Sequence, residues 1–221
     1  MPAFATFAAH QTQTIMSSNI KTIIFDLGGV LIDWNPEYVY RKIFDNDEQK
    51  MRWFLTEICP YSWNENQDAG KSWPLAISEK VAEYPQYKEW IEAYFGRWEE
   101  MLGGSLPKTV EILRSLKENT DYQLLALTNW SAETFPTALR HFEFLHWFDG
   151  IVVSGAEMTR KPFPDIYQVL FERYGVTPSE AIFIDDNPKN VEVGQSLGLN
   201  GIRFTEPEQL KKQLAGFGVT L

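Results

Sequence analysis

The chain has 221 residues, 44% hydrophobic and 23% charged, with a formal net charge of −10, the profile of an ordinary globular protein built as one domain with a sizeable insertion or as two small ones. Its acidity, with Lys and Arg scattered singly, argues against a nucleic-acid partner, and no apolar run reaches the roughly 18–20 residues of a membrane span. Cys59 is the only cysteine, which excludes an internal disulfide and fits a reducing cytoplasm.

Residues 1–19 contain no Lys or Arg and so lack the charged start of a secretory signal. We expect a flexible extension there, with Met16 as an alternative start. Without a secretory signal the Asn129-Trp130-Ser131 sequon is read as coincidence.

The first predicted strand is Thr22–Phe25, a short apolar run that ends in Asp26 and the turn Leu27-Gly28-Gly29. From Pro36 to Leu102 the pattern changes to helical spacing, with helices expected over Glu37–Phe44, Glu48–Ile58, Leu75–Glu83 and Tyr87–Met101. Trp63 to Gly70 is expected to be a polar inter-helix loop. Its Trp63 and Asp68 are read either as ligand contacts or as cap packing and solvated turn. Gly103-Gly104 marks the return point.

Beyond it, apolar runs alternate with helical segments. Strands are expected at Leu124–Leu127, Ile151–Val153, Ala181–Ile184 and Ile202–Phe204, and helices at Lys108–Glu118, Pro164–Tyr174, Val191–Leu197 and Pro207–Leu214. That alternation predicts an α/β fold, a Rossmann-like doubly wound parallel sheet of about five strands with an inserted small α-helical domain. The expected division is 20–35 with 103–221 as the core and 36–102 as the insertion. Trp34 and Trp130 stand next to the charged strand ends and are read as pocket walls or core. His141 and His146 lie in an aromatic-rich stretch read as core rather than site.

Ligands of open parallel sheets bind beyond the carboxyl ends of the strands, and several such ends carry reactive groups here. Asp26 follows the first strand, Thr128-Asn129 the second, Lys161 the third and Asp185-Asp186-Asn187 the fourth. Three carboxylates gathered in one cleft repel one another. A hard divalent cation such as Mg²⁺ removes that conflict, and a hydroxyl and an ammonium at the same edge suit a phosphoryl group.

Asp26, Thr128, Lys161 and Asp185-Asp186, in that order, resemble the four motifs of the haloacid dehalogenase-like hydrolase superfamily. The helical insertion is similar to that family's small cap, and the resemblance runs from about residue 20 to 205. It implies Asp26 as a covalent nucleophile forming an aspartyl-phosphate. It implies Mg²⁺ held by Asp26, the Gly28 carbonyl, Asp185 and Asp186, with Asp186 the surer direct ligand. Thr128, Asn129 and Gly29 would bind phosphate, and Lys161 would neutralise both Asp26 and the phosphate. The expected activity is phosphatase action on a small phosphorylated metabolite, a sugar phosphate in the branch whose motifs look most alike. The oligomeric state stays open.

One position departs from the pattern. Phosphatases of this family usually carry a second Asp two residues after the nucleophile, as general acid and base, and this chain has Gly28 there. Such a group is worth on the order of 10²–10⁴ in rate. A good leaving group, a proton from the cap or from water, or a binding protein with little catalysis would each account for its loss. A metal-free 2-haloacid dehalogenase is the rival enzyme, though the two adjacent acids suit it poorly. A glycine at position 28 also raises the question of a backbone that admits no side chain.

Overall fold

The structure, a computed structural model, describes residues 19–119 and 121–221. Of the extension expected over residues 1–19, residues 1–18, with the Met16 start, lie outside the described residues. Strand β1 (Thr22–Phe25) is buried on both faces and leads through β2 (Ile32–Trp34) into a run of helices. These are α1 (Glu37–Ile43), α2 (Glu48–Trp53) with a π-helical turn at Phe54–Ile58, α3 (Tyr61–Asp68), α4 (Trp73–Glu83) and α5 (Lys88–Gly96). The chain returns through β3 (Leu102–Ser105) to α6 (Pro107–Glu118), β4 (Gln123–Thr128), α7 (Phe135–His141), β5 (Gly150–Val153) and the single turn α8 (Ser154–Glu157). It closes with α9 (Pro164–Tyr174), β6 (Ala181–Asp185), α10 (Pro188–Ser196), β7 (Asn200–Arg203) and α11 (Pro207–Gly216).

Five strands form one parallel sheet in the order β5-β4-β1-β6-β7. β1 has a neighbour on each side, and its four residues are all buried, with the apolar run Ile23–Phe25 after Thr22, as expected for a sheet covered on both faces. Ile23 and Phe25 pack into one hydrophobic layer and Ile24 into the other, in keeping with the two-residue period of a strand. The chain runs outward from β1 on one side, then crosses to start again at β6. The topological switch therefore lies between β1 and β6, where such sheets open a crevice.

Three local expectations are corrected. The sequence suggested no strand beside the helical segment, yet β2 and β3 pair antiparallel at its two ends, Ile32 opposite Ser105 and Trp34 opposite Leu102. A side chain at Gly103 would collide with the Asp33 carboxylate, which accepts from the Tyr38 hydroxyl at 2.6 Å; the glycine is there for close approach, not only for a turn. Trp63 to Gly70 is not a loop but mostly α3. Asn and Asp are weak helix formers, but burial of Asn64, Gln67 and Asp68 overrides propensity, with Asn64 Nδ2 donating to Asp68 Oδ2 one turn on at 2.9 Å. His141 and His146 are exposed while Phe142, Phe144 and Leu145 around them fill the core. No described helix is long and apolar enough to cross a membrane.

Candidate active site

Asp26 leaves β1 at its carboxyl end, its amide donating to the Ile184 carbonyl at 2.8 Å. The turn behind it is tied by the Leu27 carbonyl, which accepts from the amides of Leu31 at 2.8 Å and Ile32 at 2.9 Å. Within that turn the demanding glycine is Gly29, not Gly28. Gly29 has φ +71°, and a side-chain carbon there would sit 2.5 Å from Asp186 Oδ2. Gly28 has no positive φ and a side-chain carbon on it would meet nothing within 4 Å.

One carboxylate oxygen of Asp26 is held by two donors. Oδ1 accepts from the Leu27 amide at 2.7 Å and from Lys161 Nζ at 2.9 Å, which fixes the carboxylate plane. Lys161 is wholly buried; its ammonium also donates to the Leu127 carbonyl at 2.7 Å and to Asp185 Oδ2 at 2.7 Å. Asp185 is saturated in turn, with the Asn187 amide at 2.8 Å and Asn190 Nδ2 at 3.1 Å from both oxygens. Asp186, next along the chain, is exposed. Burial pushes the Asp26 carboxyl up to about 7, Lys161 pulling against it and Asp185 and Asp186 adding to the rise. Burial alone would lower the Lys161 ammonium, but the charges of Asp185 and Asp26 outweigh it and raise it.

Asp26, Asp185 and Asp186 each offer an oxygen within 4.8 Å of the others. Hard cations hold carboxylate oxygens at about 2.0–2.6 Å, so oxygens sharing one ion lie within about 5 Å of each other. The donor set fits a divalent ion. Asp186 is the exposed member of the three, while Asp185 is buried and held by Lys161, Asn187 and Asn190.

Thr128 closes β4 with a buried hydroxyl that has no hydrogen-bond partner among the described residues and lies just beneath the cleft-lining Asn129. The Asn129 side chain is clamped on the Lys161 backbone, accepting from its amide at 2.8 Å and donating to its carbonyl at 2.9 Å. It holds Lys161 in place, and only the Asn129 backbone is left for a ligand.

Asp26, Asn129, Lys161 and Asp186 floor a cleft of about 810 Å³ whose walls include Trp34, Trp98, Trp130 and Phe163. Trp63 is not among the cleft-lining residues; it packs edge-on against Trp73 and Tyr94 at centroid distances of 5.6 and 5.2 Å. Asp68 does line the cleft, with Asn64, Glu65, Ser131 and Arg160. Sequence reading had not anticipated Asn190, Ser154 or the Arg160–Glu65 ion pair at 3.1 Å.

A family model described as haloacid dehalogenase-like hydrolase matches residues 20–198. The chain is 30% identical over 193 residues to a sesquiterpene phosphatase of Aspergillus oryzae, covering 86% of this chain and 93% of that one. A phosphorylated carbohydrates phosphatase of Thermotoga maritima is 23% identical over 83% of this chain and 84% of its own. Among solved structures, a HAD-like hydrolase of Porphyromonas gingivalis superposes with a TM-score of 0.69 at 23% identity, covering 90% of this chain and 98% of that one.

Proposed function

Because the chain belongs to the haloacid dehalogenase-like hydrolases and is a phosphoric monoester hydrolase, we propose that it acts on a small phosphorylated metabolite with Mg²⁺, through an aspartyl-phosphate on Asp26. The observation that carries this reading is the meeting of Asp26, Asp185 and Asp186 within 4.8 Å, with Asp26 and Asp186 at the floor of a cleft and Asp185 buried behind them, beside the Lys161 ammonium.

Asp26 has one oxygen held by Leu27 and Lys161 and the other unengaged among the described residues. The free oxygen attacks phosphorus in line while the held one keeps the carboxylate oriented. Lys161 offsets the repulsion between this anion and the anionic ester. The Thr128 hydroxyl and the backbone at Asn129 take the phosphoryl oxygens. Asp26, Asp186 and the Gly28 carbonyl would hold Mg²⁺, with Asp185 in support, and the ion would supply charge neutralisation for phosphoryl transfer. The segment between residues 36 and 102 acts as the cap over this floor. Its aromatic walls suit an organic group with an apolar face, which sugars and isoprenoids both present.

Phosphate release from a panel of sugar, isoprenoid and aryl monoesters, with Mg²⁺ and with chelator, tests the reading. Mg²⁺-dependent release lost in Asp26→Asn is expected. Chloride release from 2-chloropropionate in chelator would replace it with the dehalogenase, for which two adjacent acids without a counter-ion are poorly suited.

A further inference from the structure

The departure at Gly28 leaves the reaction without its usual proton donor, and the cleft holds two carboxyls to which the proposed steps give no part, Glu65, which is paired with Arg160, and Asp68. Asp68 is the last residue of α3, 7% exposed and facing the cleft that Asp26 floors. Its position is set by the core rather than by the helical segment alone. Ser154 donates its hydroxyl to the Asp68 carbonyl while accepting from the Trp130 amide at 2.9 Å. The end of α3 is thereby pinned to the loop that follows Thr128, where the phosphoryl oxygens are received. Arg160 binds Glu65 one turn earlier at 3.1 Å, a second tie between α3 and the Lys161 segment.

We infer that Asp68 is the general acid and base of this enzyme, supplied from α3 in place of the side chain missing at Gly28. This rests on the phosphatase reading. Asp26 Oδ forms the bond to phosphorus and the bond from phosphorus to the ester oxygen breaks. The departing oxygen takes the Asp68 proton and leaves as an alcohol. The Asp68 carboxylate then accepts a proton from water, whose oxygen attacks phosphorus. The bond to Asp26 breaks, releasing inorganic phosphate and restoring both carboxyls.

The surroundings of Asp68 suit a proton donor. Burial pushes its carboxyl up to about 7, with Arg160 opposing and Glu65 adding to the rise. Tyr61, Asn64 and Glu65 from its own helix, Tyr94 from α5, and Arg160 and Ser131 from the core face it. Of the neighbouring acids, Glu65 is already engaged by Arg160.

The test compares a primary alkyl phosphate with p-nitrophenyl phosphate, whose leaving group departs without a proton. With Mg²⁺ present, Asp68→Asn should lower kcat/KM by about 10²–10³-fold on the alkyl ester and by no more than a few-fold on the aryl ester. Adding Gly28→Asp to that variant, at a position open to a side chain, should restore at least about tenfold of the alkyl-ester rate, since one general acid is worth at least about 10². In the unmodified protein, the alkyl-to-aryl ratio of kcat/KM should fall as pH rises through about 7, a measurement that needs no variant to fold. An equal loss on both esters, no loss on either, or a ratio flat across that range would overturn the assignment while leaving the phosphatase reading intact. Absence of any Asp26-dependent turnover would overturn both.

Discussion

Lys161 and Asp185 meet 2.7 Å apart with neither side chain reaching solvent. A buried pair of this kind contributes little net stability compared with an apolar pair, but removing one partner strands the other's charge and costs about 3–5 kcal/mol. Here Lys161 also faces Asp26, so its loss leaves two buried carboxylates uncompensated. Lys161→Met should therefore lower unfolding free energy by about 3–5 kcal/mol in urea titration. A loss under about 1 kcal/mol would mean that water reaches these carboxylates more freely than their burial implies.

The two adjacent glycines should respond in opposite ways. Gly29→Ala combines a left-handed backbone with a collision against Asp186, and strain of that kind costs about 1–3 kcal/mol. Its midpoint and its turnover should both drop, because the carboxylate displaced is the one proposed to bind Mg²⁺ directly. Gly28→Ala should leave stability within about 0.5 kcal/mol of the parent. Equal tolerance at both positions, by thermal melts and phosphate release, would contradict the turn geometry.

Metal binding can be read without turnover. A ligand that binds only the folded state raises the melting temperature by mass action, so Mg²⁺ should raise it in the parent protein and much less in Asp186→Asn. Chelation should stop phosphate release and Mg²⁺ restore it, with Ca²⁺ poorer because its coordination is larger and looser. An identical Mg²⁺-induced shift in Asp186→Asn would remove this residue from the ligand set.

Asp68 couples stability to pH. Its folded carboxyl keeps its proton up to about pH 7, against an ordinary value of 3.8. The folded state thus binds more protons, so this residue's contribution is complete below about pH 4 and is lost as pH rises through about 7. Asp68→Asn lacks that loss. The melting temperature of the variant relative to the parent should climb between pH 5 and pH 8, by calorimetry. A constant difference would show that the carboxyl is ionised in the fold throughout.

The parts of the site that the sequence made legible are those carried by strand ends. β1, β4 and β6 carry buried apolar runs of three or four residues, and the sheet brings the polar residue that follows each run to the same edge. Lys161 was legible as the charged residue after the third strand, but nothing in the sequence showed that the fold buries it completely. Asn190 was invisible because its partner Asp185 lies five residues back, across the start of α10; the Asn187 cap, which accepts from the Lys189 amide at 3.0 Å, was the available signal. α3 was misread as a loop since its stability comes from tertiary burial of polar side chains, which propensity and periodicity do not register.

The β2–β3 ribbon has a consequence for how this chain tolerates change. It brings Trp34 and Leu102 side by side in register, so the segment between them starts and finishes at one place on the core. The entropy of closing such a loop grows only with the logarithm of its length. Lengthening, shortening or exchanging the residues between the two strands therefore asks little of the parallel sheet, provided the ribbon stays zipped. The sheet forms a socket and the ribbon its fitting, so an exchanged segment would leave the sheet intact but would have to bring its own counterpart of Asp68.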